Sequence, residues 1–439
     1  MYQSQQATKL ESLDCISIQY VYSACIITKT KDVTILHDPW FTEGIYDGSW
    51  FQYPKVENPL EVIGDVDYIF ISHIHPDHYD SRFIKQYFNH YGVKKIIIAK
   101  RQPNYLLGKM RSDGLYPLIL EDWLQIGTTF IKIIVQNTGS DSDIDSGLII
   151  KYKSSDNRVH CVVNSNDIVY DDKTLMLMKK EAGEIDILLC EFTGAGPYPQ
   201  TYFDISDQRL QAEALRKKTA FFERYKKLTN TLDAKVNIPF AGKYILGGKL
   251  GVLNFVRGVA DAVEVLDFDK KAVVLGDANG VINTRTLVAK EKRTIPYKKA
   301  NVDQVIKSLQ DQRMDYERLF SIQEISQLPI KRLLALAVKN ALSKSECESD
   351  YFFCIRLHTK DFAIINANKK SNESIKFIPD FESLPAPRSE IIIDMRYLFG
   401  LLTHVYHWNN AEIGSQFETR RIPNIYDSKA QNFLNFLSV

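Results

Sequence analysis

Apolar and polar positions alternate in short runs through the first half of the chain. Cys15–Thr28 is apolar with alternation, Val33–Leu36 is a short apolar run ending at His37-Asp38-Pro39-Trp40, and a loop rich in Gly, Tyr, Trp and Phe follows to Pro54. Tyr68–Ser72 reads as a buried strand that turns at His73–Asp80, Ser81–Tyr91 as a helix and Lys95–Ala99 as a strand. Thr128–Val135, Gly147–Tyr152, Val159–Asn164 and Ile185–Glu191 read as further strands, because β-rich apolar runs are bounded there by Gly, Ser and Asp. Asp207–Leu228 has the clearest helical period. Leu210, Ala214, Phe221, Tyr225 and Leu228 share one face, Ser206 is placed to cap it, and Lys and Arg on the other face read as solvated. A strand follows at Val236–Phe240.

This order predicts a four-layered α/β arrangement. Composition turns polar and basic at Arg285–Lys299. The expected division is a first domain over 1–310 and a small α+β domain over 311–439. The second holds helices at Lys331–Leu342 and Arg396–His407, strands at Tyr351–Leu357 and Phe362–Asn366, and a link at Leu384–Arg388.

Composition narrows the picture. The 439 residues are 45% apolar and 25% charged, enough to build a large core. The net charge is +1, so nothing global points to nucleic acid or an anionic membrane. Met1–Asp14 is polar and does not read as a signal peptide, and no apolar run approaches the ~20 residues that cross a bilayer. The six cysteines are scattered without a CxxC pair, which reads as buried free thiols in a reducing cytoplasm.

The strongest chemical signal is His73-Ile74-His75-Pro76-Asp77-His78 at the end of the apolar strand Asp67–Ser72. Imidazoles and carboxylates are ligands for Zn, Fe and Mn ions. Two His two residues apart on extended chain point the same way and can grip one ion. Asp77 and His78, past the strand end, can aim at a second, and Pro76 stiffens the turn. Two cations ~3.5–4 Å apart would share a bridging nucleophile.

A histidine–aspartate turn after a buried strand resembles the metallo-β-lactamase superfamily, and His37-Asp38-Pro39-Trp40 is similar to a turn found in several of its branches. The resemblance implies an αββα sandwich carrying two divalent metal ions. It also implies a later bridging Asp, which Asp167 in Val162–Asp167 matches, and catalytic roles for Asp77 and Asp167. The superfamily pattern then breaks. A third His is expected after the next hairpin, but the one His between His90 and His358 is His160, inside a strand beside Cys161 and read as a packed core residue. The third-ligand position falls in the acidic stretch Thr138–Ser146.

Collinear stretches resemble a narrower family, the CMP-N-acetylneuraminate hydroxylases. They are His73–His78, Asp145–Tyr152, Asn164–Asp167, Glu191–Pro199, Ile238–Gly242 and Ile413–Phe417, from about residue 15 to the C-terminus. This resemblance selects Asp141 for the third ligand, with Asp143 and Asp145 as rivals. Carboxylates in place of imidazole shift preference from Zn toward Fe or Mn. One departure matters. That family carries a Rieske domain, whose cluster needs two Cys and two His in paired motifs, and this chain has no Cys-x-His pair and no Rieske cluster.

The metal set is therefore His73, His75, Asp77, His78, Asp141 and Asp167. Tyr198, Lys243 and Lys249, on Gly- and Pro-rich loops, are the candidate substrate contacts. Trp408–Gly414 and Arg420-Arg421 stand out as a lid or docking surface. The leading expectation is a cytoplasmic metal-dependent hydrolase acting on an anionic small molecule, such as a nucleotide-linked or phosphorylated sugar, through a metal-activated water. The alternative is an iron- and oxygen-dependent oxidoreductase served by a separate electron-transfer protein. A scaffold with a degenerate site is the third reading, and a homo-oligomer is compatible with each.

Overall fold

A computed structural model describes residues 14–138, 143–168, 171–357, 361–379 and 384–439. Two sheets face each other. The first has seven strands in the spatial order Val281–Asn283, Ser17–Tyr22, Cys25–Lys29, Thr34–His37, Tyr68–Phe70, Lys95–Ala99 and Leu118–Leu120. The second has six, in the order Val236–Phe240, Ile187–Glu191, Val159–Asn164, Ser146–Lys153, Thr129–Val135 and Leu124–Ile126. The apolar run from Cys15 is split into two strands by a tight turn in which Ser23 has φ 49°.

Alternation along each strand sends side chains to opposite faces. Leu148, Ile150, Val162, Ile187 and Leu189 point inward, where they meet Ile18, Ile26, Ile35, Phe70 and Ile97 of the first sheet. Ile149, Cys161, Val163 and Leu188 point outward onto the helices Asp172–Ala182 and Leu210–Leu232. On the far side, Ser81–Tyr91 and Tyr105–Ser112 cover the first sheet through Phe83, Ile84, Tyr87, Leu106 and Met110. The result is the expected four-layered αββα sandwich. All six cysteines are buried and free.

A third, five-stranded sheet follows, in the order Ile375–Ile378, Phe362–Asn366, Phe352–Arg356, Arg388–Ile392 and Glu418–Ile422. With the helix Ile330–Lys344 it shares one apolar cluster with Trp40, Tyr46, Trp50 and Tyr244 of the sandwich. The C-terminal part therefore packs directly on the loop that precedes the histidine motif. Gln416 donates to the Tyr46 carbonyl at 2.8 Å, and the Tyr397 hydroxyl donates to Asp47 at 2.6 Å.

Three helix expectations are corrected. The long helix begins at Leu210 and runs to Leu232, and Ser206 does not cap it, because its hydroxyl donates to Asp204. Lys217, expected on the solvated face, is 8% exposed. Its ammonium donates to the carbonyls of Gly196 (2.9 Å) and Arg257 (3.1 Å), and burial beside Arg257 lowers its pKa to about 7. The helix expected over Arg396–His407 stops at Leu402. His404 turns left-handed, the Val405 and Tyr406 amides bond back to the Gly400 carbonyl, and a new helix opens at Trp408. Among the described residues, no helix is long and apolar enough to cross a membrane.

Candidate metal centre

The centre lies where the inner strands end. Tyr68–Phe70 stops at Ser72, whose amide donates to buried Asp38 at 2.8 Å. Asp38 follows the adjacent parallel strand Thr34–His37 with a strained φ of 40°. It also accepts from Asn166 (φ 49°) and lies 3.3 Å from His78 Nδ1. One buried carboxylate thus ties three strand ends together, and strain of this kind persists only where surrounding contacts enforce it. Asp80 caps the helix Ser81–Tyr91 and accepts from the Phe41 and Thr42 amides, pinning the aromatic loop beside the motif.

The motif then divides into two groups. His73 Nε2 faces His75 Nδ1 at 2.9 Å. His78 Nε2 faces Asp167 at 3.3 Å and Asp77 at 3.5 Å. His73, His78 and Asp167 each offer a ligand atom, and these atoms lie within 4.8 Å of one another. Tyr46 donates to Asp77, and its ring packs against Trp50, which stacks on Tyr244.

The electrostatics fit a cation. Burial and the neighbouring His78 and His75 push His73 well below the ordinary imidazole pKa, so its ring is neutral and available as a ligand. Burial alone would lower His78, but Asp167 and Asp77 hold its pKa well above the ordinary value. Burial and Asp167 push Asp145 up to about 8, and the same two causes raise Glu191 strongly. Buried acids that raise one another's pKa in this way gain from a positive charge placed among them. Dications suit such a donor set.

Of the sequence candidates, His73, His75, Asp77, His78 and Asp167 converge here. Asp141 lies outside the described residues. Its rival Asp143 is occupied within its own loop, accepting from Gln136 at 2.7 Å and from the Thr138 amide at 2.6 Å. Asp145 reaches the centre, with Oδ1 3.5 Å from His73 Nδ1, on the ring edge away from His75. Arg101 holds this segment through the backbone carbonyls of Asp143 (2.7 Å) and Asp145.

Two of the expected substrate contacts have internal partners. Lys243 is buried, with its ammonium on the Ile295 carbonyl (2.9 Å) and Asp277 (3.4 Å), so it braces two loops. Lys249 is committed to Tyr316 and Glu317. Tyr198 does line an open cavity of about 990 Å³, together with Arg216, Arg421, Lys429, Thr138 and Asn409. Asn409 joins this cavity to the motif, its Oδ1 lying 2.9 Å from His75 Nε2. Glu191, Asp38, Tyr46 and Asn166 carried no site assignment from sequence, and Asn409 stood only within Trp408–Gly414, the stretch singled out as a lid or docking surface. Glu191 and Asn166 were findable as polar residues at or just past the ends of buried strands. Asn409 was not, since 334 residues separate it from His75.

A four-layered α/β sandwich with histidines and aspartates converging at strand ends defines a metal-site protein of known type. The chain belongs to the beta-lactamase superfamily: residues 17–239 match the model of its domain. Among curated relatives, it is 26% identical over 242 residues to a protein of Mycolicibacterium smegmatis named a putative Rieske 2Fe-2S iron-sulfur protein, covering 52% of this chain and 43% of that one. It is 21% identical over 238 residues to the cytidine monophosphate-N-acetylneuraminic acid hydroxylase of Gorilla gorilla gorilla, covering 52% and 38%. The chain thus spans less than half the length of these relatives, and the matched stretch is shorter than the nearly whole-chain resemblance read from motifs. A solved structure, the metallo hydrolase Igni18 of Ignicoccus hospitalis, superposes with a TM-score of 0.41 at 14% identity, covering 61% of this chain and 97% of that one.

Proposed function

We propose that the chain is a dinuclear metalloenzyme of the oxygen-dependent hydroxylase type, taking electrons from a separate protein. The observation that carries this is the donor set. His73 and His75 form one position, His78, Asp77 and Asp167 the other, and Asp145 and Glu191 stand within electrostatic reach. Two aspartates stand with three imidazoles, and two further acids, Asp145 and Glu191, interact with Asp167 from close by; surroundings this rich in carboxylate favour iron or manganese over zinc. When bound, iron supplies redox chemistry toward oxygen. The names of the two relatives, a Rieske protein and a hydroxylase, point the same way.

The residues have distinct tasks in this reading. Asp167, close to both His73 and His78, would help hold the metal, and Tyr46 orients Asp77. Asp38 holds the His78 ring from behind, and Asp145 does the same for His73. Tyr198, Arg216, Arg421 and Lys429 place an anionic small molecule in the cavity beside Asn409.

A second reading, a hydrolase using metal-activated water at the same residues, is favoured by one observation. Three histidines with aspartates at a turn are also a ligand set for zinc, and water activated at such a site needs no electron donor.

Elemental analysis of protein purified without added metal separates the readings. Iron, with oxygen uptake in the presence of a chemical reductant, supports the first. Zinc, with hydrolysis of a phosphoester and lactone panel and no reductant-dependent oxygen uptake, overturns it in favour of the second.

A further inference from the structure

The helix Trp408–Ile413 belongs to the C-terminal part, yet it delivers one side chain to the metal centre. Its place is rigid. Trp408 is 2% exposed and its indole N–H donates to the Leu437 carbonyl at 2.8 Å. The helix amides Ala411 and Gly414 bond to the carbonyls of His407 and Asn410. Behind it, Gln416 binds the carbonyls of Tyr46 and Asp47 in the aromatic loop. Asn409 is thereby held against His75 with Oδ1 2.9 Å from Nε2.

We infer that Asn409 is a positioning residue that sets the tautomer of His75. A carbonyl oxygen only accepts, so Nε2 must carry the hydrogen. In a neutral imidazole the hydrogen is then absent from Nδ1, and the Nδ1 lone pair is exposed. Nδ1 is the atom that faces His73 Nε2 at 2.9 Å. His73 has the complementary arrangement. Its Nδ1 lies 2.9 Å from Ser72 Oγ and 3.5 Å from Asp145 Oδ1, so with a cation in place Nδ1 can carry the ring hydrogen and Nε2 present its lone pair. With Nδ1 of His75 bare, His73 Nε2 can donate to it in the free protein, and a cation takes the place of that hydrogen. Asn409 therefore holds the first cation position ready for its ion from a segment far along the chain. Its side chain also lines the open cavity, so it stands between whatever fills that cavity and the ligand His75.

The inference rests on His75 being a ligand, and the test separates the two claims. The full chain is stripped with a chelator and titrated with Zn(II) and with Mn(II) against a metal indicator, for wild type, His75→Ala, Asn409→Leu, Asn409→Ala and Asn409→Asp. In parallel, ¹⁵N–¹H correlation of the imidazole rings reads the His75 tautomer without metal. The expected wild-type tautomer is Nε2–H. Asn409→Leu and Asn409→Ala should mix the tautomers and weaken one site by about 10–100-fold. Asn409→Asp, which keeps the acceptor, should restore both readouts. The alanine variant adds no bulk and serves if leucine disturbs the fold. Unchanged tautomer and affinity in both acceptor-free variants, with His75→Ala still losing a site, overturns the Asn409 inference alone. Unchanged affinity in His75→Ala overturns the ligand assignment beneath it.

Discussion

His73 and His160 are both fully buried imidazoles on or beside inner strands, and they do opposite things. His73 sits at a strand end among His75, His78, Asp145 and Ser72, each presenting a polar atom. His160 lies four residues before Asn164 on the neighbouring sheet, about 13 Å toward the other end. It packs against Tyr152, its two ring nitrogens lack hydrogen-bond partners among the described residues, and the Asp186 carboxylate is 3.9 Å away. Burial alone therefore does not make a histidine functional. Convergence does, and convergence occurs where several strands end together, because parallel neighbours release their chains into loops at the same edge.

The sharpest way to break this contrast is to remove one imidazole from each end. His75→Ala should lose one equivalent of metal with its far-UV circular dichroism intact, while His160→Phe should keep full stoichiometry. Equal metal loss in both would erase the distinction. Next in size is Asp145→Asn, which keeps the shape but removes the ionisable carboxyl group behind His73. Metal affinity should fall about 10–100-fold, the usual cost of losing a carboxylate behind a ligating imidazole. An indicator titration that matches wild type would remove Asp145 from the centre.

Glu412 is an intermediate case, buried beside the cavity with Gln431 at 2.7 Å and Arg421 at 3.8 Å. Burial raises its pKa from 4.5 to about 7 despite Arg421. Between those pH values the folded state binds more protons than the unfolded one, so the stability this group contributes is full below about 4.5 and is lost as pH rises through 7. Glu412→Gln should flatten that decline, by at most about 3 kcal/mol, in denaturant melts at pH 5 and pH 8. A parallel pH slope in variant and wild type would refute the shift. The smallest effect belongs to His160→Phe stability. It removes two unsatisfied buried nitrogens but adds volume, and the two effects offset, so unfolding free energy should stay within about 1 kcal/mol of wild type. A loss above about 2 kcal/mol would show that His160 has a partner after all.

Much of the sandwich was legible because its strands are nearly continuous apolar runs and its helices have a clean period. Ser81–Tyr91, Lys95–Ala99, Val159–Asn164, Val236–Phe240 and Phe362–Asn366 lie at the boundaries read from sequence. Asp172–Ala182 and Tyr105–Ser112 were missed, because their apolar faces are narrow and broken by Lys, Arg and Gly. Lys217 was misread because helical spacing assigns a face by hydrophobicity, whereas its ammonium is satisfied by two carbonyls from distant loops. The partners of Lys243 and Lys249 were hidden for a related reason: a loop lysine shows its charge in sequence, but its carboxylate or tyrosine partner lies 34 and 67 residues away.

What the amino-acid order determined by itself is local: the periodicity that makes strands and helices, and a six-residue turn dense enough in ligands to announce its chemistry. Those choices depend on neighbours within a few residues, so a linear reading reaches them. Tertiary structure alone decided which acid of the 138–145 stretch stands behind His73, which lysines are spent on internal carbonyls, and that Asn409 meets His75. Each of these is a contact between segments whose separation along the chain carries no signal. Packing of the two sheets and the C-terminal layer selects them, by leaving one buried hydrogen-bonding group opposite another that must be satisfied.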